Sequence, residues 1–339
     1  MLTLHIMINT IFIEPFIMFI NKNFNAKEHF FVIFGGSDYN VKLDNNINNL
    51  YIIKSEEKIT VLQYCLYKAD KIIIHGLFNE RLIQILYFQP WLLKKSYWVM
   101  WGGDFLYPEI NSWQKKQVIK KIQNIITNVD GDVDFLQKNY NTYPKYYKSL
   151  TYLSNIFDDK LNYNLNKISK DEMWILVGNS ASETNRHEFI LNKLTNLSNQ
   201  NIRLITPLSY CKGNGNYPQK IIELGKSLYG DKFEPITNYL EYDKYIQLLF
   251  NIDIALFAHK KQEAMGNIIH LLGFGKKVYL DSQATHWSFF YNLGLKIYDI
   301  NDEINLNIEL TEIKKNTKII KEYFSEENLK KSLGNIFNS

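Results

Sequence analysis

The chain has 339 residues, 46% of them hydrophobic, enough for two domains of ordinary size with a core in each. Its formal charge of +4 is mild, with Lys, Asp and Glu interspersed, which excludes a dedicated nucleic-acid binder but leaves room for a local basic patch facing phosphate or anionic lipid. Cys65 and Cys211 lie far apart, without a CxxC or a metal-ligand cluster, so a disulfide scaffold is excluded and a reducing compartment is expected. Aromatic residues reach 15%, but the abundance of Asn, Ile, Lys and Tyr reads as the codon bias of an AT-rich genome, so single tyrosines carry little weight.

The N-terminal stretch "MLTLHIMINTIFIEPFIMFI" lacks a basic leader and is interrupted by His5, Asn9, Thr10, Glu14 and Pro15. It reads as a buried strand, a turn and a helix from Glu14-Pro15, since no run of about 20 unbroken apolar residues occurs in the chain. A soluble cytoplasmic protein is expected, or one peripheral on the inner face of the inner membrane. Strands are predicted at Thr3–Met7, Phe30–Phe34, Leu50–Ile53, Lys71–Ile74, Tyr97–Trp101 and Ile125–Val129. Helical patterns at Phe16–Phe24, Ile59–Tyr67 and Arg81–Phe88 lie between them, and such alternation predicts a parallel sheet covered on both faces. The rhythm loosens over Tyr140–Glu172, polar and Tyr-rich, where a linker is expected. A second series follows: Met173–Val177, Arg203–Thr206, Phe233–Pro235, Asp253–Phe257 and Lys277–Leu280, then the helical run "TKIIKEYFSEENLKKSLGNIF". The predicted fold class is α/β, with two Rossmann-like domains and a cleft between them. The boundaries are 1–155 for the first domain, 156–172 for the linker, 173–315 for the second domain and 316–339 for a C-terminal helix packing back on the first.

Three stretches carry chemistry. In "WILVGNSASETNRHEF", Gly178, Asn179 and Ser180 follow a strand and precede a helix, where backbone N–H groups and small polar side chains can hold a phosphate. A plain turn capped by Ser182 or Thr184 is the alternative, and His187 faces either the phosphate or solvent. In "FAHKKQEAMGNIIHLLGFGKKVYLD" a strand ends at Phe257 and a polar loop leads to a helix from about Met265 to Leu272, stopped by Gly273 and Gly275. Gly266 is either part of a ligand loop or a packing glycine. In "WVMWGGDFLYPE", Gly102 and Gly103 precede Asp104, a carboxylate that can act as general base or cap the next turn. His75-Gly76 and the segment Gly35, Gly36, Ser37, Asp38 are further strand ends of the first domain. "DGDVD", Asp130 to Asp134, resembles a metal-binding DxD but opens the helix Val133–Asn139, where acidic residues favour a helix N-terminus. No metal and no cofactor is expected.

Together the segments "ILVGNSASETNRH", "WVMWGGDFLYPE" and "HGLFNERL", with "GGSDYN" and "GDVDFL" more loosely, resemble the 4-acetamido-4,6-dideoxygalactose (Fuc4NAc) transferase family of enterobacterial common antigen synthesis. They occur in the family's order over roughly residues 30 to 280. Gly103 stands where the enterobacterial form has alanine, and the loop "HKKQEAMGN" matches at Gln262 and Gly266. The resemblance implies the GT-B fold and transfer of a deoxyamino sugar from a dTDP-linked donor, with UDP or GDP as other options, to a lipid-linked or cell-surface saccharide. It places the donor at Gly178, Asn179, Ser180, Asn185, His187, Gln262, Glu263, Gly266 and Asn267. The acceptor falls at Gly35, Gly36, Ser37, Asp38, Gly102 and Gly103, with Asp104 as the first choice for base and His75 and Glu109 behind it. The readings left open beside it are a non-catalytic sugar- or nucleotide-binding protein and a sugar-nucleotide epimerase or hydrolase of the same architecture.

Overall fold

The computed structural model describes residues 1–10, 12–34, 47–53, 59–157, 165–209 and 215–339. They form two compact units, residues 1–154 with 326–339, and residues 155–325.

Unit 1 is built on seven strands: β1 (Thr3–Ile8), β2 (His29–Phe34), β3 (Leu50–Ile53), β4 (Lys71–His75), β5 (Ser96–Val99), β6 (Asn124–Thr127) and β7 (Lys145–Lys148). All pair in parallel, in the order β3-β2-β1-β4-β5-β6-β7. A central strand of such a sheet is covered on both faces, which is why all five residues of β4, KIIIH, are buried. The covering helices are α1 (Ile13–Asn23), α2 (Ile59–Lys68), α3 (Glu80–Phe88), α4 (Trp113–Lys121) and α5 (Asp130–Tyr140). Helix α3 starts where the Asn79 side chain accepts from the Leu82 N–H at 3.0 Å, and it buries Leu82, Ile83 and Leu86. Each such side chain contributes about 1.5–3 kcal/mol by leaving water.

Two details differ from expectation. Strand β7, sequence KYYK, lies inside the stretch read as linker; as an edge strand it buries little, so it lacks an apolar signature. Helix α5 begins at Asp130 rather than Val133. Asp130 accepts from Lys148 Nζ at 2.6 Å and from the Tyr146 hydroxyl at 3.0 Å, while fully buried Asp132 accepts from the Thr127 hydroxyl at 3.1 Å.

Unit 2 holds β8 (Met173–Val177), β9 (Ile202–Pro207), β10 (Phe233–Ile236), β11 (Ile254–Leu256), β12 (Lys277–Leu280) and β13 (Tyr298–Asp299), all parallel in the order β10-β9-β8-β11-β12-β13. Helices α6 (His187–Lys193), α7 (Tyr217–Tyr229), α8 (Tyr242–Asn251), α9 (Met265–Gly273), α10 (Thr285–Asn292) and α11 (Leu310–Tyr323) complete it. Its core joins Ile175 and Val177 of β8 to Ile254 and Leu256 of β11, Leu191 of α6 and Leu204 of β9.

The C-terminal run is two helices rather than one. Helix α11 belongs to unit 2, and α12 (Glu326–Phe337) packs on unit 1, burying Leu329, Leu333, Ile336 and Phe337. Lys71 Nζ, buried at the start of β4, donates to the carbonyls of Ile336, Phe337 (3.2 Å) and Ser339 (2.9 Å), supplying partners to carbonyls that a helix end leaves open. Among the described residues no helix is long and apolar enough to cross a membrane. In each sheet the strand order reverses once, between β1 and β4 and between β8 and β11, and the crevice outside the carboxyl ends at such a point is where α/β sheets take ligands.

Candidate functional site

In unit 2 the chain leaves β8 at Gly178, whose N–H donates to the Leu256 carbonyl of β11 at 3.0 Å, squarely at the reversal. Gly178 has φ +67, and a Cβ there would lie 2.6 Å from both Asn185 Oδ1 and His187 Nε2, so only glycine fits. Asn185, fully buried, braces the turn: its Oδ1 accepts from the Asn179 N–H at 2.8 Å, and its Nδ2 donates to Ser180 Oγ at 2.8 Å and the Ser182 carbonyl at 3.1 Å. With both atoms of its side-chain amide so engaged, Asn185 positions the loop. Ser180 is buried within the same brace, whereas Asn179 keeps a buried Oδ1 with no protein partner.

The turn does not open a helix directly, contrary to expectation. A short 3-10 turn over Glu183–Asn185, capped by Ser182, and Arg186 in the left-handed region at φ +53 come first, and α6 starts only at His187. Helix α6 itself has only seven residues, His187–Lys193. His187 is likewise not in solvent: its ring is buried, Nδ1 pairs with the Tyr217 hydroxyl at 3.0 Å, Nε2 has no protein partner, and burial pulls its pKa down to about 4.

The loop after β11 meets the same turn. Glu263 Oε2 accepts from the Thr184 hydroxyl at 2.7 Å and lies 3.6 Å from His259 Nε2. Burial raises the Glu263 pKa, while the Thr184 bond and Lys261 oppose the rise. Gln262, Gly266 and Asn267 are half-buried at the start of α9, where the Gly266 carbonyl pairs with His270 Nδ1 at 2.7 Å and Asn267 stands beside the Tyr245 hydroxyl. Arg186 Nη1 ties the loop down, reaching Asp281 Oδ2 past β12 at 3.3 Å and the Ala258 carbonyl at 3.4 Å. Two residues outside the predicted set belong here: His259, with both ring nitrogens buried and unpartnered, and His286 in the first turn of α10, with Nδ1 likewise unpartnered. Neither stood in a recognisable spacing, although His259 follows the end of a predicted strand.

Unit 1 requires a correction. Asp104 is fully buried: Oδ2 accepts from the Leu77 N–H at 2.9 Å and Trp98 Nε1 at 2.7 Å, and Oδ1 from the Trp101 N–H at 3.1 Å. Burial raises its pKa against these three bonds and the charge of Lys115. With both oxygens turned inward onto N–H donors, Asp104 braces the Gly102-Gly103 turn and is not presented to solvent as expected of a base. His75 is also withdrawn as a base. It is buried, its Nδ1 pairs with the Tyr152 hydroxyl at 2.6 Å and its Nε2 with His5 Nδ1 at 3.2 Å, and burial lowers its pKa to about 3. Glu109 is exposed in the turn that follows. Gly102 is buried at φ +78, and Gly103 is exposed beside the Phe78 ring, which itself packs edge-on against Trp101 at 5.8 Å. Gly35, Gly36, Ser37 and Asp38 lie outside the described residues.

Known structures share this fold. Anabaena HepE in complex with UDP is 11% identical, with 100% of both chains covered and a TM-score of 0.73. The E. coli trehalose-6-phosphate structure bound with UDP-2-fluoro glucose is 10% identical over 99% of this chain and 98% of that one, TM-score 0.65. WaaG, a glycosyltransferase involved in lipopolysaccharide biosynthesis, is 10% identical over 99% of each chain, TM-score 0.59. At such identities the likeness shows the fold, which is GT-B. The model of the 4-alpha-L-fucosyltransferase family, glycosyl transferase group 56, matches residues 12–323, and the chain belongs to that family of glycosyltransferases.

Proposed function

We propose that the protein moves a deoxyamino sugar of the Fuc4NAc kind from a dTDP-linked donor to a lipid-linked or cell-surface saccharide. The observation that supports this most is the β8/β11 crevice of unit 2, where a glycine-only turn and buried, unpartnered polar atoms gather at the reversal of a parallel sheet. The donor diphosphate lies against Asn179, His187 and the loop of Gln262, Glu263, Gly266 and Asn267, with Asn185 and Ser180 holding the turn. Leaving-group charge is met by protein donors without a metal ion, since Asp130 and Asp132 are engaged in structure. The acceptor belongs to unit 1 near Gly103, Phe78 and Trp101, and Glu109 is the remaining choice for general base.

Membrane contact is part of this reading. Helix α3, a 3-10 turn over Pro90–Lys95 and α4 carry Phe88, Trp91 and Trp113, which are 71%, 59% and 61% exposed. On α4, Trp113, Lys116 and Lys120 follow helical spacing along the face opposite buried Val118 and Ile119, and in the 3-10 turn Lys94 falls under Trp91. Aromatic rings and lysines on one layer suit the headgroup region of an anionic bilayer on the cytoplasmic face. Incubation with dTDP-, UDP- and GDP-sugars, with and without a saccharide acceptor, tests the reaction. Acceptor-dependent nucleotide release is expected from the dTDP donor. Binding without release would leave a sugar- or nucleotide-binding protein, and release without acceptor a hydrolase.

A further inference from the structure

His187, His259 and His286 stand around one crevice, at the start of α6, beyond the end of β11 and in the first turn of α10. Their strands β8, β11 and β12 are neighbours in the sheet. Each ring is 1% exposed or less, and each keeps a ring nitrogen with no protein partner, His259 both of them. The histidines of unit 1 are different. His29 Nδ1 pairs with His5 Nε2 at 3.0 Å, His5 Nδ1 with His75 Nε2, and His75 Nδ1 with Tyr152. Buried polar groups are normally paired, so one wholly and two partly unpaired imidazoles at a ligand crevice mark groups kept for something that enters.

The charges around His259 decide what that is. Glu263 faces it at 3.6 Å from the loop that leads to α9, with Lys261 acting on Glu263. From the β8 loop comes Arg186, paired with Asp281 of the β12 end, while His187 and His286 act on His259 as like groups. Glu263 and Asp281 thus offset the charge of Arg186 and Lys261, while Lys260, next to His259 in the loop, is exposed to solvent. Burial holds the free rings neutral, His259 down to about 3 and the other two to about 4.

We infer that a diphosphate-bearing ligand entering this crevice draws one proton from bulk solvent onto His259, so that anion binding and protonation are a single event. The inference rests on the reading of unit 2 as the donor-nucleotide unit and adds how the anion's charge is met. A neutral imidazole with no hydrogen bond at either nitrogen accepts the proton on its bare nitrogen and then donates from both, one toward the anion and one toward Glu263. Affinity then rises as pH falls from 8 toward 6.5, by up to ~10-fold per pH unit, the limit for uptake of one proton.

Calorimetric titration of the full chain with dTDP and with UDP at pH 7.5, in buffers of different ionisation enthalpy, measures the protons taken up. That pH lies above the second phosphate pKa of about 6, so the nucleotide itself contributes little. Uptake of about one proton is expected, lost in His259→Gln together with the pH slope of affinity. Nucleotide binding with no uptake overturns the inference and leaves the donor reading standing. No binding of either nucleotide removes both. Undiminished uptake in the folded variant would place the proton elsewhere and overturn the assignment to His259, and the buffer series on the unaltered chain decides the matter if the variant does not fold.

Discussion

The Nε2 atom of His187 lies 2.6 Å from the point a Cβ on Gly178 would occupy, and Asn185 Oδ1 lies at the same distance. The turn that leaves β8 is therefore closed to every side chain. Gly178→Ala adds left-handed strain at φ +67 to this clash. We expect a loss of about 1–3 kcal/mol in stability, the usual scale for strained positions, and weakened nucleotide binding as His187 and Asn185 are pushed away. Thermal unfolding and calorimetry read the two effects, and a variant indistinguishable from the original in both would show that the turn relaxes freely.

Asp104→Asn separates a brace from a base. The amide presents an NH₂ group to N–H donors that now meet a carboxylate oxygen, leaving at least one of Leu77, Trp98 or Trp101 unpaired. We expect a stability loss of about 1–3 kcal/mol with near-normal turnover in the protein that remains folded. A fall in turnover of about 10²–10⁴ at unchanged melting temperature would restore the catalytic role. Glu109→Gln is the companion variant, expected to lower turnover without changing stability.

Acid should unfold the protein early. Burial lowers the pKa of His5, His29 and His75 in unit 1 and of His187, His259 and His286 in unit 2. Below 6.5 the unfolded chain takes up protons that the folded chain refuses until about 4 at His29, His187 and His286, or about 3 at His75 and His259. Stability is thus full above pH 6.5 and falls as pH drops from there toward 4. At pH 5 each ring held down to about 4 or 3 costs about 2 kcal/mol, so the three in unit 2 approach the roughly 5–15 kcal/mol that holds a typical domain. Denaturant titrations at pH 7.5, 6 and 5 measure the slope, and a flat profile would contradict the neutral assignment.

Trp91→Ser with Trp113→Ser, and separately Lys94→Glu with Lys116→Glu and Lys120→Glu, probe the exposed layer of unit 1. Sedimentation with phosphatidylglycerol vesicles should drop by about tenfold or more in each triple or double variant, since each lysine is worth about 1 kcal/mol near an anionic surface. Transfer to a water-soluble acceptor should be unchanged. Equal sedimentation of all forms would remove this face as the membrane contact.

The strand–helix rhythm was legible because buried parallel strands are short apolar runs, and Met173–Val177 coincides with β8 to the residue. Strand β7 was hidden because an edge strand of Lys and Tyr has no such run. Asp104 looked exposed because two glycines precede it; what turns it inward is Leu77, 27 residues earlier, a partner no local pattern announces. His259 and His286 escaped for the same reason, since lone histidines in loops gain meaning only when the sheet brings three strand ends together. The family blocks succeeded where local chemistry was ambiguous, since they matched order and wording over most of the chain.

The bonds from Lys71 to the end of α12 join positions 265 to 268 residues apart, with all of unit 2 made between them. On the ribosome, where segments emerge from the N-terminus onward, the first sheet is complete long before the helix that covers Lys71 and His29 exists. Unit 2 can close as soon as its last helix emerges, whereas unit 1, begun first, is finished last. During that interval the rings of His5, Phe24 and His29, which Phe337 covers in the finished fold, stand open beside Lys71.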